Sequence, residues 1–355
     1  MRGGFRRIVR AAPFFCRHRY EATFASPIEL PSRTMFLVSL CFAALMGYAI
    51  QRGATCTVAA VDEIVRTRRT RRLAAMMEAS IWVAGLLLIA QQVRYGVTLP
   101  KGHAISAFAI CGGLLLGAGA YINQACVFGA IARLGSGEWA YLATPVGFYL
   151  GTLVAANVMP EAPFPQLVSP LAALPNLAAF AAGLFMVCRL LVALVGLLRS
   201  RPATARQVRA EIGKRLWRPE DATAVIGIAF FFLLVFEGPW AYTDVLNDAA
   251  QGAWHDLGSR AALLVALLLG AVLGGWSAGR LQAVAPNARQ VLRCLAGGAL
   301  MGAGSALIPG SNDGLILLGM PLLFAHAWVA FAAMAFAILA LMLGRRWVRL
   351  EANTA

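Results

Sequence analysis

From residue 35 to near the C-terminus, long apolar runs alternate with short polar breaks: 35–50, 73–91, 104–122, 140–158, 171–198, 222–236, 261–277, 291–308 and 315–343. A hydrocarbon layer about 30 Å thick is crossed by about 20 apolar residues in a helix. The runs therefore predict an all-α, polytopic transmembrane bundle, with about eight to ten crossings once interrupted helices are counted. A polar stretch at 199–221 divides the chain in two. The expected organisation is a basic N-terminal tail (1–34), a first transmembrane repeat (35–198), a basic linker loop (199–221), a second repeat (222–345) and a C-terminal tail (346–355).

The two halves carry an internal repeat. At a constant offset of 185 residues, CGGLLLGAGAYINQACVFG (111–129) lies over AGGALMGAGSALIPGSNDG (296–314). Gly112, Gly113, Gly117, Gly119 and Gly129 fall on Gly297, Gly298, Gly302, Gly304 and Gly314. One GGxxxGxG would mean only helix packing through small residues; its recurrence at one offset means two related halves. The same offset sets Arg52-Gly53 over Glu237-Gly238, each just after an apolar run short for a full crossing. Each half thus holds two interrupted segments, which predicts short re-entrant half-helices. Matched broken helices in two halves are the sequence pointer to a transporter's midplane site, where half-helix ends present unpaired backbone groups. The repeat alone does not set whether the halves are parallel or inverted.

Composition narrows the class. Of 355 residues 60% are hydrophobic and 13% charged, about half the charged share of a typical soluble domain. The net charge of +15 gathers before residue 35, at 66–72, at 201–218 and at 345–349, all between apolar runs. That is the pattern of positive-inside topology and anionic-lipid attraction; no aromatic-interleaved basic motif points to nucleic acid. By the charge rule all four basic segments share one side, and the halves would then be parallel, unless one of these segments lies outside or the crossing count differs. Met35 opens the first strong run and is an alternative start.

Chemistry is sparse. The seven cysteines, Cys16, Cys41, Cys56, Cys111, Cys126, Cys188 and Cys294, show no CxxC spacing and no histidine cluster, so neither a disulfide framework nor a metal site is expected. No G-x-S-x-G, Walker or HExxH motif marks an enzyme, and no cofactor is implied. Two cysteines do stand out. Cys56 and Cys126 each follow a glycine-containing break, beside Arg52 and beside Asn123 and Gln124, residues that a lipid-facing helix avoids. A thiol there donates a weak hydrogen bond to a soft anion, while amides at a half-helix N-terminus take the negative charge. The offset sets Cys56 over Ala241 and Cys126 over Ser311. Ser311, Asn312 and Asp313 place hydroxyl, amide and carboxyl groups at membrane depth, which is costly unless they line a cavity. Arg52 and Glu237, related by the repeat, are candidates for an ion pair or for flanking a path. Glu78, Arg189 and Asp244 also fall in or near apolar runs, and His326 reads as a bonded bundle histidine.

Three segments carry a family resemblance: GYAIQRGATCTVAAVDE (47–63), GAGAYINQACVFGAIARLGSGEW (117–139) and GGALMGAGSALIPGSNDG (297–314). In this order, across both halves, they resemble the YeeE/YedE sulfur-transport family. The resemblance implies an hourglass-shaped inner-membrane protein whose short re-entrant helices meet at its centre. It also implies import of thiosulfate, passed along cysteine thiols by transient hydrogen bonds. Cys56 and Cys126 match family cysteines; Ser311 stands where the family usually shows cysteine, and none lies near Tyr242. The expected function is a permease for a small sulfur-containing anion. The alternatives are a non-transporting membrane subunit that docks a soluble sulfur-carrier protein on the 199–221 loop, and an intramembrane sulfurtransferase.

Overall fold

The structure, a computed structural model, describes residues 32–93, 99–158, 165–199, 217–252, 257–308 and 310–354. The expected N-terminal tail up to residue 31, with Cys16, and positions 200–216 of the linker loop lie outside them. Seven helices precede the linker: α1 (Ser32–Gly53), α2 (Thr57–Thr67), α3 (Arg71–Gln92), α4 (Ala107–Asn123), α5 (Val127–Gly135), α6 (Ala143–Val158) and α7 (Asn176–Arg199). Six more are described after it: α8 (Pro219–Glu237), α9 (Tyr242–Ala250), α10 (Leu257–Ser277), α11 (Ala288–Leu307), α12 (Asn312–Gly319) and α13 (Ala325–Thr354). Strand is confined, among the described residues, to a two-residue antiparallel pair, β1 (Gly102–His103) with β2 (Gln166–Leu167). Eight helices among the described residues are long and apolar enough to cross a bilayer, or nine when α11 and α12, bent by 52° at their break, count as one. The chain is a multi-pass, all-α membrane protein.

Shifted by 185 residues, α1–α6 overlie α8–α13 in order, and α7 has no counterpart among the described residues. The breaks correspond as well. α1 gives way at Ala54 (φ 46°) and α4 at Gln124 (φ 60°), left-handed conformations that a helix does not continue through. The short helices α2, α5, α9 and α12 then start from extended backbone at Cys56, Cys126, Ala241 and Ser311. Within α12 the turn over Leu315–Gly319 is π-helical, and the Ile316 carbonyl accepts from Ser80 Oγ of α3 at 2.5 Å. α13 runs as helix through the segment expected as a C-terminal tail.

Glycine contacts set the relative direction of the halves. A Cβ added to Gly112 would sit 2.6 Å from the Gly304 carbonyl oxygen, and one on Gly119 would sit 2.6 Å from that of Gly297. As α4 ascends from 112 to 119, its neighbour descends from 304 to 297, so α4 and its repeat equivalent α11 are antiparallel. α1 and its equivalent α8 show the same sense: Gly53 meets Ala222, and Phe42 stacks on Phe232 with ring centres 4.6 Å apart. Equivalent helices that pack antiparallel are related by a pseudo-twofold axis across the bundle, so the repeats are inverted. The unpaired α7 is the physical cause, because one additional crossing delivers the chain to the opposite face before the second half starts.

The inversion excludes the parallel halves that four basic segments on one side would require; the basic segment before residue 32 lies outside the described residues. Three do share an end. Arg71 pairs with Glu220 at 2.5 Å, Trp217 N donates to the Arg52 carbonyl at 3.3 Å, and Arg346 donates to the Val65 carbonyl at 2.9 Å. The start of α1 lies at the other end. Arg189 of α7 binds both carboxylate oxygens of Glu78 on α3, at 2.6 and 3.2 Å. Such a partly buried bidentate pair fixes α7 where apolar contacts with lipid give no direction. His326 Nδ1 donates to the His103 carbonyl at 2.8 Å.

Close approach of α4 and α11 makes a testable demand. Gly119→Val drives the two backbones apart and is expected to cost about 1–3 kcal/mol, seen as a lower Tm of the purified protein. Gly183→Val, on α7 with nothing within 4 Å of its added Cβ, carries the same helix-propensity cost and serves as the reference. Equal Tm losses in the two variants would contradict the packing.

Candidate functional site

Each broken helix leaves the first-turn amides of the next helix without intrahelical acceptors. In the first half two thiols supply them, crosswise. Thr57 N, the first amide of α2, donates to Cys126 Sγ at 3.2 Å; Cys126 N donates to Cys56 Sγ at 3.5 Å. Both cysteines are free, Cys126 buried and Cys56 half-buried. Gly129 is required at its position because any Cβ there would lie 2.5 Å from Cys56 Sγ. Asn123 is buried and holds the break: its Nδ2 donates to the Ala125 carbonyl at 2.8 Å, and its Oδ1 accepts from Thr144 Oγ1 at 3.1 Å. Gln124 is exposed and faces the arginine-lined cavity at the basic end.

The second half uses oxygen in place of sulfur. Ser311 Oγ, Thr243 Oγ1 and Asp313 Oδ1 are in mutual hydrogen-bond contact. Thr243 N donates to Asp313 Oδ2 at 3.4 Å. Thr57 Oγ1 donates to Asn312 Oδ1 at 3.4 Å and joins the halves. Ser311, Asn312, Asp313 and Thr243 are all buried, and Asp244 Oδ2 caps α9 by accepting from Ala241 N at 3.1 Å. The starts of α2, α5, α9 and α12 thus converge on one central cluster, each contributing the positive end of its dipole. Two buried N–H groups close to these starts, Asn312 Nδ2 and Trp240 Nε1, have no acceptor among the described residues.

A cavity of about 800 Å³ leads from the basic end of the bundle to this cluster. Cys56, Gly129 and Gln124 line it, together with Arg66, Arg72, Arg133, Arg280, Arg345 and Arg346. Two of these arginines are paired, Arg66 with Asp62 at 2.8 Å and Arg133 with Glu138 at 3.0 Å. The cavity is therefore strongly positive. Ser311 and Asp313 do not line it, so the two halves of the pseudo-symmetric cluster differ in their access to it.

Arg52 is fully buried, its guanidinium carbon 5.4 Å from the centre of the Tyr48 ring. Glu237 is half-buried at the end of α8. Among the described residues the ion pairs have other partners, and none joins Arg52 to Glu237. Thr57, Thr243 and Gly129 did not stand out in the sequence as site residues. The available signal was position: Thr57 directly follows Cys56, and Gly129 belongs to the repeated glycine set. The arginines at 66–72 and 345–346, legible in the sequence only as topology markers, turn out to line the cavity.

A family profile described as sulphur transport matches residues 52–340. The chain belongs to the YeeE/YedE sulphur-transport family. A search of curated proteins finds no match. The family match runs from Arg52 almost to the end of the second repeat, so it takes in all four broken helices and both halves of the central cluster. This sulphur-transport chain differs between its halves in the donor chemistry of that cluster, sulfur in one and oxygen in the other.

Access distinguishes the two thiols. A membrane-impermeant thiosulfonate reagent applied to the basic end is expected to modify Cys56, which lines the cavity, well before Cys126, whose exposure is 0%. Mass spectrometry of quenched samples reads the order, and equal rates at both positions would contradict the geometry.

Proposed function

We propose that this sulphur-transport protein is a permease for a small sulfur-containing anion of the thiosulfate class. The path runs past Cys56, Cys126 and Ser311, with Asn312, Asn123 and Gln124 beside it. The observation that carries this reading is the convergence of four helix N-termini on buried N–H donors that lack acceptors. Oriented amides and dipole ends favour an anion without requiring a fixed cation. Donor groups alone would trap such an anion if they were strong. Thiols are weak donors, so each step along Cys56 and Cys126 costs little to leave. No bond to sulfur need form or break, and the chain acts as a transporter in place of an enzyme.

The positive-inside rule assigns the arginine-lined end to the cytoplasm of an inner-membrane protein. The cavity at Cys56 then opens inward, and its field draws the anion off the central cluster toward the cell interior. Segments 35–198 and 222–345 act as the two gating units about the shared site. The arginine-rich mouth is also where a soluble sulfur-carrier protein would collect the anion. A non-transporting docking subunit, the alternative, predicts no flux through proteoliposomes of the purified chain.

Uptake of labelled thiosulfate by cells lacking other importers tests the reading. A weak net hydrogen bond is worth about 0.5–1.5 kcal/mol, so Cys126→Ala is expected to lower kcat/KM for uptake by about two- to tenfold. Uptake by Cys126→Ala at the wild-type rate would remove the thiol from the path.

A further inference from the structure

Asp313 is the buried carboxylate of the central cluster, with 2% of its surface exposed. Among the described residues no arginine, lysine or histidine pairs with it. Its Oδ1 accepts from Thr243 Oγ1 at 2.8 Å and its Oδ2 from Thr243 N at 3.4 Å, with Ser311 Oγ in contact with both Thr243 Oγ1 and Asp313 Oδ1. All of these partners are neutral, so an ionised Asp313 would be a buried charge without a counter-ion, a cost that the neutral acid avoids.

From this arrangement we infer that Asp313 is a proton carrier and that the anion crosses together with a proton held on Asp313, beside Ser311 and Thr243. The inference rests on the permease reading and adds its coupling ion. A carboxylate and a dianion cannot share a desolvated site, because like charges repel strongly where water does not screen them. Asp313 must therefore be neutral when the anion occupies the cluster. Moving a dianion into a negatively charged compartment also works against the membrane potential, and each accompanying proton cancels one charge. The proton binds at the outer side, passes inward while Asp313 is neutral, and is released on the inner side after the anion.

The neighbouring ionisable groups do not offer a substitute. The Tyr242 phenol of α9 lies within electrostatic reach of Asp313 and the two thiols. Of the other titratable groups on elements packed against α12, Arg72, Arg345 and Arg346 line the basic cavity, Arg71 binds Glu220, Asp248 binds Arg260, and four more are engaged elsewhere. Asp244 caps α9, Glu78 of α3 binds Arg189, Arg133 of α5 binds Glu138, and His326 of α13 donates to the His103 carbonyl.

Proteoliposomes of the purified full chain, with the membrane potential clamped by potassium and valinomycin, provide the test. Labelled thiosulfate and an internal pH dye are followed together. With one proton per anion, the wild type is expected to accumulate thiosulfate about tenfold per unit of inward pH gradient, with internal acidification only when thiosulfate is present. Thiosulfate entry without proton movement overturns the inference while leaving the permease intact; no thiosulfate flux at all overturns the permease reading itself. Asp313→Asn is expected to lose proton movement and pH-driven accumulation, and accumulation at the wild-type ratio overturns the inference. Should Asp313→Asn carry nothing, Asp313→Glu decides: a coupled flux with a displaced pH profile supports the proton carrier, and an undisplaced profile overturns it.

Discussion

A backbone amide buried in an apolar medium without an acceptor costs several kcal/mol, and this chain breaks four helices inside its bundle. Everything at the centre depends on satisfying the amides those breaks release. Ordinary caps would close each helix on itself. α9 keeps such a cap in Asp244, but three amides are bonded across elements: the Cys126 thiol receives the first amide of α2, and the Cys56 thiol receives the amide of Cys126. Asp313 receives the amide of Thr243 from the neighbouring helix. Exchange ties the four short helices to one another and leaves weak, replaceable acceptors where a ligand can compete.

Glycine makes this convergence possible. The α4–α11 and α1–α8 contacts sit on the pseudo-twofold axis, where each helix meets its own equivalent running the other way. Side chains there would separate the backbones, since a Cβ at Gly112, Gly119, Gly297 or Gly304 would fall 2.6 Å from a facing carbonyl oxygen. Without a hydrophobic drive between helices in lipid, such close approach is the main source of association. The breaks can meet only because the long helices before them are this close.

Symmetry of the backbone is not matched by symmetry of the chemistry. The half next to the basic cavity offers sulfur, soft and weakly held; the other offers a hydroxyl–carboxyl triangle set apart from that cavity. Equivalent backbone positions thus present different hydrogen-bonding chemistry in the two halves. Arg66, Arg72, Arg280, Arg345 and Arg346 act in this picture as a field at one mouth, in addition to orienting the chain.

Periodicity and repetition made the fold class and the existence of two halves legible, because span length is set by bilayer thickness and each repeated glycine marks a backbone contact. They also pointed to Cys56, Cys126 and Ser311, since polar groups beside a helix break at membrane depth are costly anywhere but against a cavity or the bundle interior. Direction was not legible: α7 reads as one more apolar run, and only packing shows that it stands outside the repeat and inverts the second half. Nor was the pairing of donors with acceptors, because Thr57 with Cys126, and Thr243 with Asp313, are separated by about 70 positions in the chain. A sequence determines which residues can bond and how far each helix reaches. Which groups actually face one another is decided by the crossing of helices in three dimensions, where distance along the chain no longer counts.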